Sequence, residues 1–400
     1  MKKLILAVLG IAFLGVVGVS VYVSTIDWNK HKEKLTQQLL EITGKRVVFN
    51  GPVSLTLFPR PNLTAKNVRV YSTVNNDLEH PLMKIESLVA DLSFSALVGG
   101  SFDVKMMSLV KPQIFLQRDD NGINWMDNAK TNSNAEIKNV NIALDSVLLN
   151  DATMTIVDEA HNVNVTLDNL KAEVVADSLN GPFRIDGSYV KGNNPEGFAI
   201  SVGSLSDSFA TNLNFVLNQP ASETYLRFDG TFLLSNTAVN GNLIVESKKF
   251  KDFCDSMFAG HKLSSYWDKK FETSMELRVN KSQAELANII LKYGNTAGAG
   301  NITIPLPKKN YNVDDDETDE KHQINVKFDM TDLSLEPFVE GLKDFARKQQ
   351  AAGAVYAPDY PFDVDVALSA LKAEYNGQTI KNFKTAISLE DNVWNFALED

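Results

Sequence analysis

The order of apolar and polar residues divides the chain into three parts, and the first is a long apolar run. It begins at Leu4, passes Leu14 and ends at Val23. About 20 such residues match the ~30 Å hydrocarbon core of a bilayer. A cleaved signal peptide would have only roughly 7–15 apolar residues and would end in a small-x-small cleavage site. This run is longer, and it ends in Val21-Tyr22-Val23 with no Ala-x-Ala. The run therefore predicts an uncleaved transmembrane anchor over residues 1–25, with a cleaved signal peptide as the alternative.

The second part, residues 26–44, has the period of a short helix. Leu35 and Leu39 recur at the spacing of one helical face. Asp27 is a suitable N-cap, and Gly44 stands where a helix-ending glycine is expected. We interpret this segment as a stalk helix that packs its apolar stripe against the following domain.

In the third part, from residue 45 onward, apolar residues alternate with polar ones. Turn tracts such as residues 191–195 and 375–377 separate the alternating runs. Strands at short spacing with such turns predict antiparallel hairpins and meanders, and alternation predicts one apolar and one wet face. The clearest runs are residues 53–57, 88–94, 163–167, 183–185, 213–217, 226–228, 243–245, 275–279, 324–328 and 362–368.

Few helices accompany these strands, and two are predicted, over residues 247–259 and 336–350. The polar stretch near residue 130 suggests a boundary between a β module, 45–130, and a repeating β-strand body, 131–400. An apolar sheet face must be covered by something. The pattern alone favours a second sheet, which needs no ligand; the alternative is a groove filled by lipid.

Charge and composition restrict the partners of this chain. The net charge is −11 over 400 residues, and no basic block is present, which argues against binding to nucleic acid. Lys2 and Lys3 favour a cytoplasmic N-terminus, whereas the three lysines at positions 30, 32 and 34 oppose export of the segment after the anchor. Long domains are translocated largely regardless of such charges, so we expect the body to be exported.

The sequence contains no recognisable catalytic constellation. Its five histidines are scattered without metal-ligand spacing, and neither a nucleophile elbow nor a phosphate-binding loop occurs. Cys254, the single cysteine, lies on an apolar stripe among Phe250, Phe253 and Met257, which is typical of a buried structural thiol. We therefore predict a protein that is not an enzyme and that needs no metal and no cofactor.

A series of short motifs follows in order between residues 43 and 125. They are Thr43-Gly44-Lys45-Arg46, Gly51-Pro52-Val53, Pro59-Arg60-Pro61, Lys66-Asn67-Val68, Leu97-Val98-Gly99-Gly100, Pro112-Gln113-Ile114 and Asp120-Asn121-Gly122-Ile123-Asn124-Trp125. Individually none is specific, but the ordered set resembles the N-terminal region of the AsmA family of bacterial envelope proteins. Weaker similarity continues through residues 144–187. The basic cluster after the anchor departs from the expected pattern. The chain also ends within a predicted strand, which suggests a truncated version of a longer protein.

This resemblance implies a single-pass anchor in the inner membrane and a body in the periplasm. It also implies a mostly β fold, in which an elongated, curved antiparallel sheet with a few short helices forms an apolar groove, as in bridge-like lipid-transfer proteins. Burial of a lipid tail gains roughly 0.8 kcal/mol per CH₂ group, so an apolar groove can shield acyl chains without any chemistry. The residues expected to line it are Leu213, Phe215, Leu226, Phe228, Leu243 and Val245.

The function expected from this resemblance is a non-enzymatic phospholipid carrier or bridge between the inner and outer membranes. Its partners would be phospholipid, the inner membrane and an envelope protein that the sequence does not identify. The alternative is a periplasmic scaffold that influences the assembly of outer-membrane proteins. A closed sandwich with an exposed apolar patch would favour that scaffold, and a compact pocket with convergent polar groups would favour an enzyme.

Overall fold

The structure is a computed structural model, and it describes most of the strands and helices of the chain. The described residues are 27–57, 60–73, 79–93, 104–119, 122–125, 144–158, 163–176, 181–204, 210–233, 238–257, 263, 265–306, 322–341, 343, 362–390 and 393–398. The anchor predicted over residues 1–25, with Leu4, Leu14 and Val23, lies outside them. Among the helices in these ranges, none is long and apolar enough to cross a membrane.

The chain divides into two units, Met1–Pro195 and Glu196–Asp400. The first contains a 3₁₀ turn, Trp28–His31, and helix α1, Lys32–Thr43. Its strands are β1 Arg46–Phe49, β2 Val53–Thr56, β3 Asn62–Tyr71, β4 Met83–Leu92, β5 Val104–Val110, β6 Gln113–Asp119, β7 Gly122–Ile123, β8 Leu144–Asp158, β9 Val163–Ala176 and β10 Phe183–Lys191. The boundary predicted near residue 130 stays a prediction, since residues 126–143 are not among those described.

A helix is present within the segment predicted as a stalk, residues 26–44. The Asp27 carboxylate accepts a hydrogen bond from the Asn29 backbone N–H at 3.2 Å and begins the 3₁₀ turn that leads into α1. Gly44 ends α1 in a left-handed conformation, φ 66°, which a glycine adopts without steric cost. Leu35 and Leu39 pack against the sheet core of this unit. The helix therefore forms because the 3₁₀ turn leads into it, Gly44 ends it and its apolar stripe packs against the sheet.

The first sheet is built mainly from antiparallel pairs, with β3 joining both β1 and β2 to β4. Strands β5 and β6 pair with β4 and then with β8, and β9 joins β8 to β10. The pairings of β8 with β5 and β6 are parallel, which differs from the purely antiparallel sheet predicted. A parallel neighbour requires a long crossover, and the polar segment that precedes β8 provides the necessary length.

The second unit is a run of strands in which each pairs with the next along the chain. The strands are β11 Asn194–Val202, β12 Ala210–Gln219, β13 Thr224–Leu233, β14 Ala238–Ser247, β15 Phe271–Val279, β16 Gln283–Tyr293, β17 Thr296–Pro305, β18 His322–Ser334, β19 Phe362–Tyr375, β20 Gln378–Glu390 and β21 Val393–Leu398. All these pairs are antiparallel except β18 with β19, which are parallel. Residues 335–361 form the crossover between those two strands.

Both helices predicted in the second unit are present, with shorter described bounds. Helix α2, Phe250–Met257, follows β14, and a 3₁₀ turn, Ser265–Trp267, precedes β15. Residues 336–341 are helical directly after β18, and the remainder of the helix predicted over 336–350 lies mostly outside the described residues. The fold is thus mostly β with few helices, as the alternation predicts.

Candidate functional site: an apolar sheet face

The six residues expected to line a groove lie together on one face of the sheet formed by the strands of the second unit. Phe215 lies opposite Phe228, and Phe228 lies opposite Leu243 on the next strand. Leu226 lies opposite Val245 in the adjacent row, and Leu213 lies two residues before Phe215 on β12. Directly paired residues point to the same side of a sheet, as do residues two apart on one strand. The strand register therefore brings all six into one patch.

The apolar patch continues across every strand of the unit. The cross-strand partners carry apolar side chains from β11 at one side of the run to β21 at the other. Its further members are Phe198, Ile200, Val202, Leu217, Met275, Leu277, Leu286, Ile289, Leu291, Ile302, Val326, Phe328, Met330, Val366, Leu368, Ile387, Leu389, Trp394 and Phe396. We call this surface the apolar face.

Most of the six predicted residues are only half-buried. Leu213, Phe215, Leu226 and Leu243 keep part of their surface exposed, whereas Phe228 and Val245 are each 6% exposed. The strands β11–β21 all belong to one hydrogen-bonded sheet. Within the described part of the second unit, therefore, no second sheet covers the apolar face in the way that the pattern alone had favoured.

The opposite face of the same strands is polar and solvated. Arg227 binds Asp229 two residues along β13, and Arg278 binds Glu276 and Glu285 at 2.5 and 3.2 Å. Hydrogen bonding to Asp229 raises the pKa of the Arg227 guanidinium. Because these pairs are exposed to solvent, they add little stability and mark a surface that faces water. The sheet thus has two chemically different faces, as expected from the alternation.

Aromatic residues close one end of the strands in this unit. Phe250 of α2 stacks on Phe271 at 4.4 Å between ring centroids and meets Tyr293 at 5.7 Å. Trp267 contacts Tyr293 at 5.6 Å and Phe338 at 5.4 Å. Burial raises the pKa of Tyr293 to about 12, so its hydroxyl stays protonated, and it donates to the Tyr266 carbonyl at 3.1 Å. The helical segments therefore lie at the strand ends.

A buried polar cluster lies at this same end. The Gln219 amide donates to Glu196 at 2.9 Å and to Ser256 of α2 at 3.1 Å. The Ser222 hydroxyl donates to Gln219 Oε1 at 3.2 Å and to Thr224 at 2.7 Å, and Thr224 donates to Ser247 at 2.7 Å. Sequence reasoning missed this cluster. The sequence signal for this cluster was that polar residues replace apolar ones on the apolar face at this end of β12, β13 and β14. These residues are Gln219, Thr224 and Ser247.

Cys254 of α2 is half-buried, and burial raises the pKa of its thiol to about 11. A thiol that remains protonated at neutral pH is a poor nucleophile and a poor metal ligand. Among the described residues, no group of three or more His, Cys, Asp or Glu side chains could hold a metal ion. The candidate site of this unit is its two-faced sheet.

These features define a class: a mostly β protein with a large sheet that has one apolar and one polar face. The chain belongs to the AsmA family, whose family model matches residues 1–284, and this confirms the resemblance based on the N-terminal motifs. Comparison with curated proteins gave no match, and comparison with solved structures gave none either. Family membership and the large β-sheet fit a function related to the bacterial envelope.

Proposed function

We propose that this protein is a non-enzymatic phospholipid carrier or bridge between the inner and outer membranes. The apolar face of the second unit acts as the wall of a curved groove that shields acyl chains from water. An N-terminal anchor holds the protein in the inner membrane, and the body works in the periplasm. No cofactor or metal takes part, because the process consists of transfer between apolar environments.

The observation that carries this proposal is the continuity of the apolar face from β11 to β21. A soluble protein rarely leaves a large contiguous apolar surface uncovered unless that surface binds something. Each CH₂ group of a lipid tail that leaves water gains about 0.8 kcal/mol, so a face of this length supports the transit of acyl chains. The polar opposite face keeps the same sheet compatible with an aqueous compartment.

The test compares two adjacent residues on opposite faces of β14. Leu243 lies on the apolar face and is half-buried, whereas Ile244 points to the other side and is 37% exposed. The full chain is expressed in bacterial cells with a photo-reactive phenylalanine analogue at one position or the other. Intact membranes that contain this protein are then irradiated. We expect phospholipid adducts, detected by mass spectrometry, at position 243 and not at position 244.

Ile244 is a matched control because it is also apolar and is on the same strand. Equal labelling at both positions would indicate non-specific contact with lipid or detergent and would contradict the proposal. Adducts of position 243 with an envelope protein, in place of lipid, would favour the scaffold that influences outer-membrane protein assembly.

A further inference from the structure

Glycine replaces a side chain at Gly230, Gly241, Gly298 and Gly300 of the apolar face, and the sulfur of Met330 fills the space over Gly298. The other three glycines make two places where an aromatic ring lies over glycine. Gly230 on β13 lies directly opposite Gly241 on β14, between Leu213 and Leu277 of the flanking strands. Gly300 on β17 lies between Ile289 and Phe328. Because glycine weakens a strand and packs no side chain, its presence inside a strand often marks a close approach of other groups. We call these two places the glycine notches.

An aromatic ring lies in each notch. A methyl group added to Gly230 or Gly241 would lie only 2.6 or 2.7 Å from Cζ of Phe228. A methyl group on Gly300 would lie 2.4 Å from Cδ1 of Phe328. Contacts this short mean that each ring occupies the space that a side chain would otherwise fill. Both rings therefore lie along the sheet surface instead of standing away from it.

The ring of Phe228 lies over Gly230 and Gly241 and is 6% exposed, whereas the ring of Phe328 lies over Gly300 and is half-buried. Phe215, the direct partner of Phe228 on β12, has leucines two residues away on either side and is also half-buried. The neighbouring strand also approaches closely, since a methyl group on Gly230 would lie 2.3 Å from the Asn240 carbonyl oxygen. Both the neighbouring backbone and the Phe228 ring therefore leave no space for a side chain at Gly230.

Resting on the proposed function, we propose that Phe228 and Phe328 form a flat floor of the acyl-chain path. An unbranched hydrocarbon chain can lie against flat rings along its length, whereas methyl branches hold a chain away from the rings and reduce the contact. Adjacent strands are ~4.8 Å apart, so the two notches are about 19 Å apart across the strands. This separation is of the same order as the thickness of the acyl layer of one leaflet, about 15 Å, so one acyl chain is long enough to contact both rings.

The test measures a preference between two lipids. The full chain, extracted in detergent, is mixed with equal amounts of phosphatidylglycerol carrying unbranched chains and phosphatidylglycerol carrying methyl-branched phytanoyl chains. Native mass spectrometry then gives the ratio of the two bound species. We expect the parent to favour the unbranched lipid by about tenfold or more, the discrimination typical of one misplaced methyl group in an apolar site.

Phe228→Leu and Phe328→Leu, alone and combined, should lower that preference to about threefold or less while total lipid binding persists. Leucine replaces the flat ring by a smaller apolar group and preserves folding, which a thermal melt verifies. Tyr225→Leu is the matched control and should leave the preference unchanged, because Tyr225 is an aromatic residue of the same strand as Phe228 that faces the polar side and is 40% exposed.

An unchanged ratio in both notch variants would overturn the inference while leaving the proposed function intact. So would a parent without preference, or an equal change in Tyr225→Leu. A parent that binds neither lipid would instead contradict the proposed function itself.

Discussion

The two units use sheets with an apolar face in different ways. In the first unit, α1 lies on the sheet, and Trp28, Leu35 and Leu39 pack onto a core in which Ala65 and Val68 are fully buried. In the second unit, the apolar face ranges from half-buried residues such as Leu213 and Leu243 to a buried cluster around Met330, and the described helices contact the strand ends. A covered apolar face provides stability, whereas an uncovered one is available for binding.

Within its described residues, the second unit has further sources of stability besides the packing of its apolar face. Its backbone ladder joins eleven strands, β11 to β21, and its strand ends hold aromatic contacts and the buried cluster around Gln219. Buried hydrogen bonds of this kind add modest stability when made and cost more when broken, because the remaining partner stays desolvated. The comparison therefore predicts different sensitivities for the two units.

The largest difference should appear between Val68→Asp in the first unit and Leu243→Asp in the second. Val68 is fully buried under α1, so aspartate there places an unpaired charge in the core and should cost about 3–5 kcal/mol. Leu243 is half-buried on the apolar face, where the carboxylate can reach water, so the loss should be about 1–2 kcal/mol. Both losses of stability are measured by thermal melting, with circular dichroism as the readout, and by limited proteolysis.

Ile244→Asp, on the polar face, controls for a charge added to the same strand and should be nearly neutral. If Leu243→Asp were as damaging as Val68→Asp, the face around Leu243 would be a closed core, and the contrast between the units would not hold.

Much of the fold could be predicted from the two-residue alternation of apolar and polar positions alone. Alternation of side chains gives the face of each residue, and the register then unites Phe215, Phe228 and Leu243 in one row. The alternation of apolar and polar residues does not show what covers the apolar face of a sheet. A face that binds lipid and a face that packs against a second sheet have the same alternation. The parallel pair β18–β19 was also missed, because the choice of neighbour depends on the crossover and not on the strands themselves.

The next prediction concerns the polar cluster at the strand ends. Gln219→Ala removes the amide that donates to Glu196 and Ser256, leaving buried acceptors without that donor. The free energy of unfolding should fall by about 1–3 kcal/mol, as measured by urea denaturation. Asn218→Ala is the matched control, since Asn218 is the exposed neighbour on the same strand and should change stability little. Equal effects of both changes would argue that the cluster does not hold this end.

A smaller effect is expected at Cys254, which packs in α2 at the same end. Cys254→Ala should cost about 1 kcal/mol or less, because it removes one half-buried sulfur. With a pKa near 11, the folded thiol is about 0.1% ionised at pH 8, so alkylation should be much slower than in urea, where the pKa is roughly 8.5. Rapid alkylation of the folded protein, followed by mass spectrometry, would indicate that α2 does not stay packed.

The smallest effect should come from Glu336, which links the helix after β18 to the turn between β19 and β20. The Ser334 hydroxyl donates to its carboxylate at 2.6 Å, and the Asn376 backbone N–H donates at 2.9 Å. These hydrogen bonds, that from Ser334 first, lower the pKa of Glu336 below its ordinary value of 4.5. The folded state therefore binds this proton more weakly than the unfolded state.

The stabilisation by Glu336 should be complete above about pH 4.5 and should be lost as the pH falls through the lower folded-state pKa. Because the site is open to solvent, we expect less than about 1 kcal/mol. Urea denaturation of the parent and of Glu336→Gln between pH 7 and pH 3 should give curves that converge at low pH. Glu340→Gln, one turn further along the same helix and paired with Lys343, is the control. A constant gap between parent and Glu336→Gln across this range would mean that the charge of this carboxylate does not hold the helix after β18 to the turn between β19 and β20.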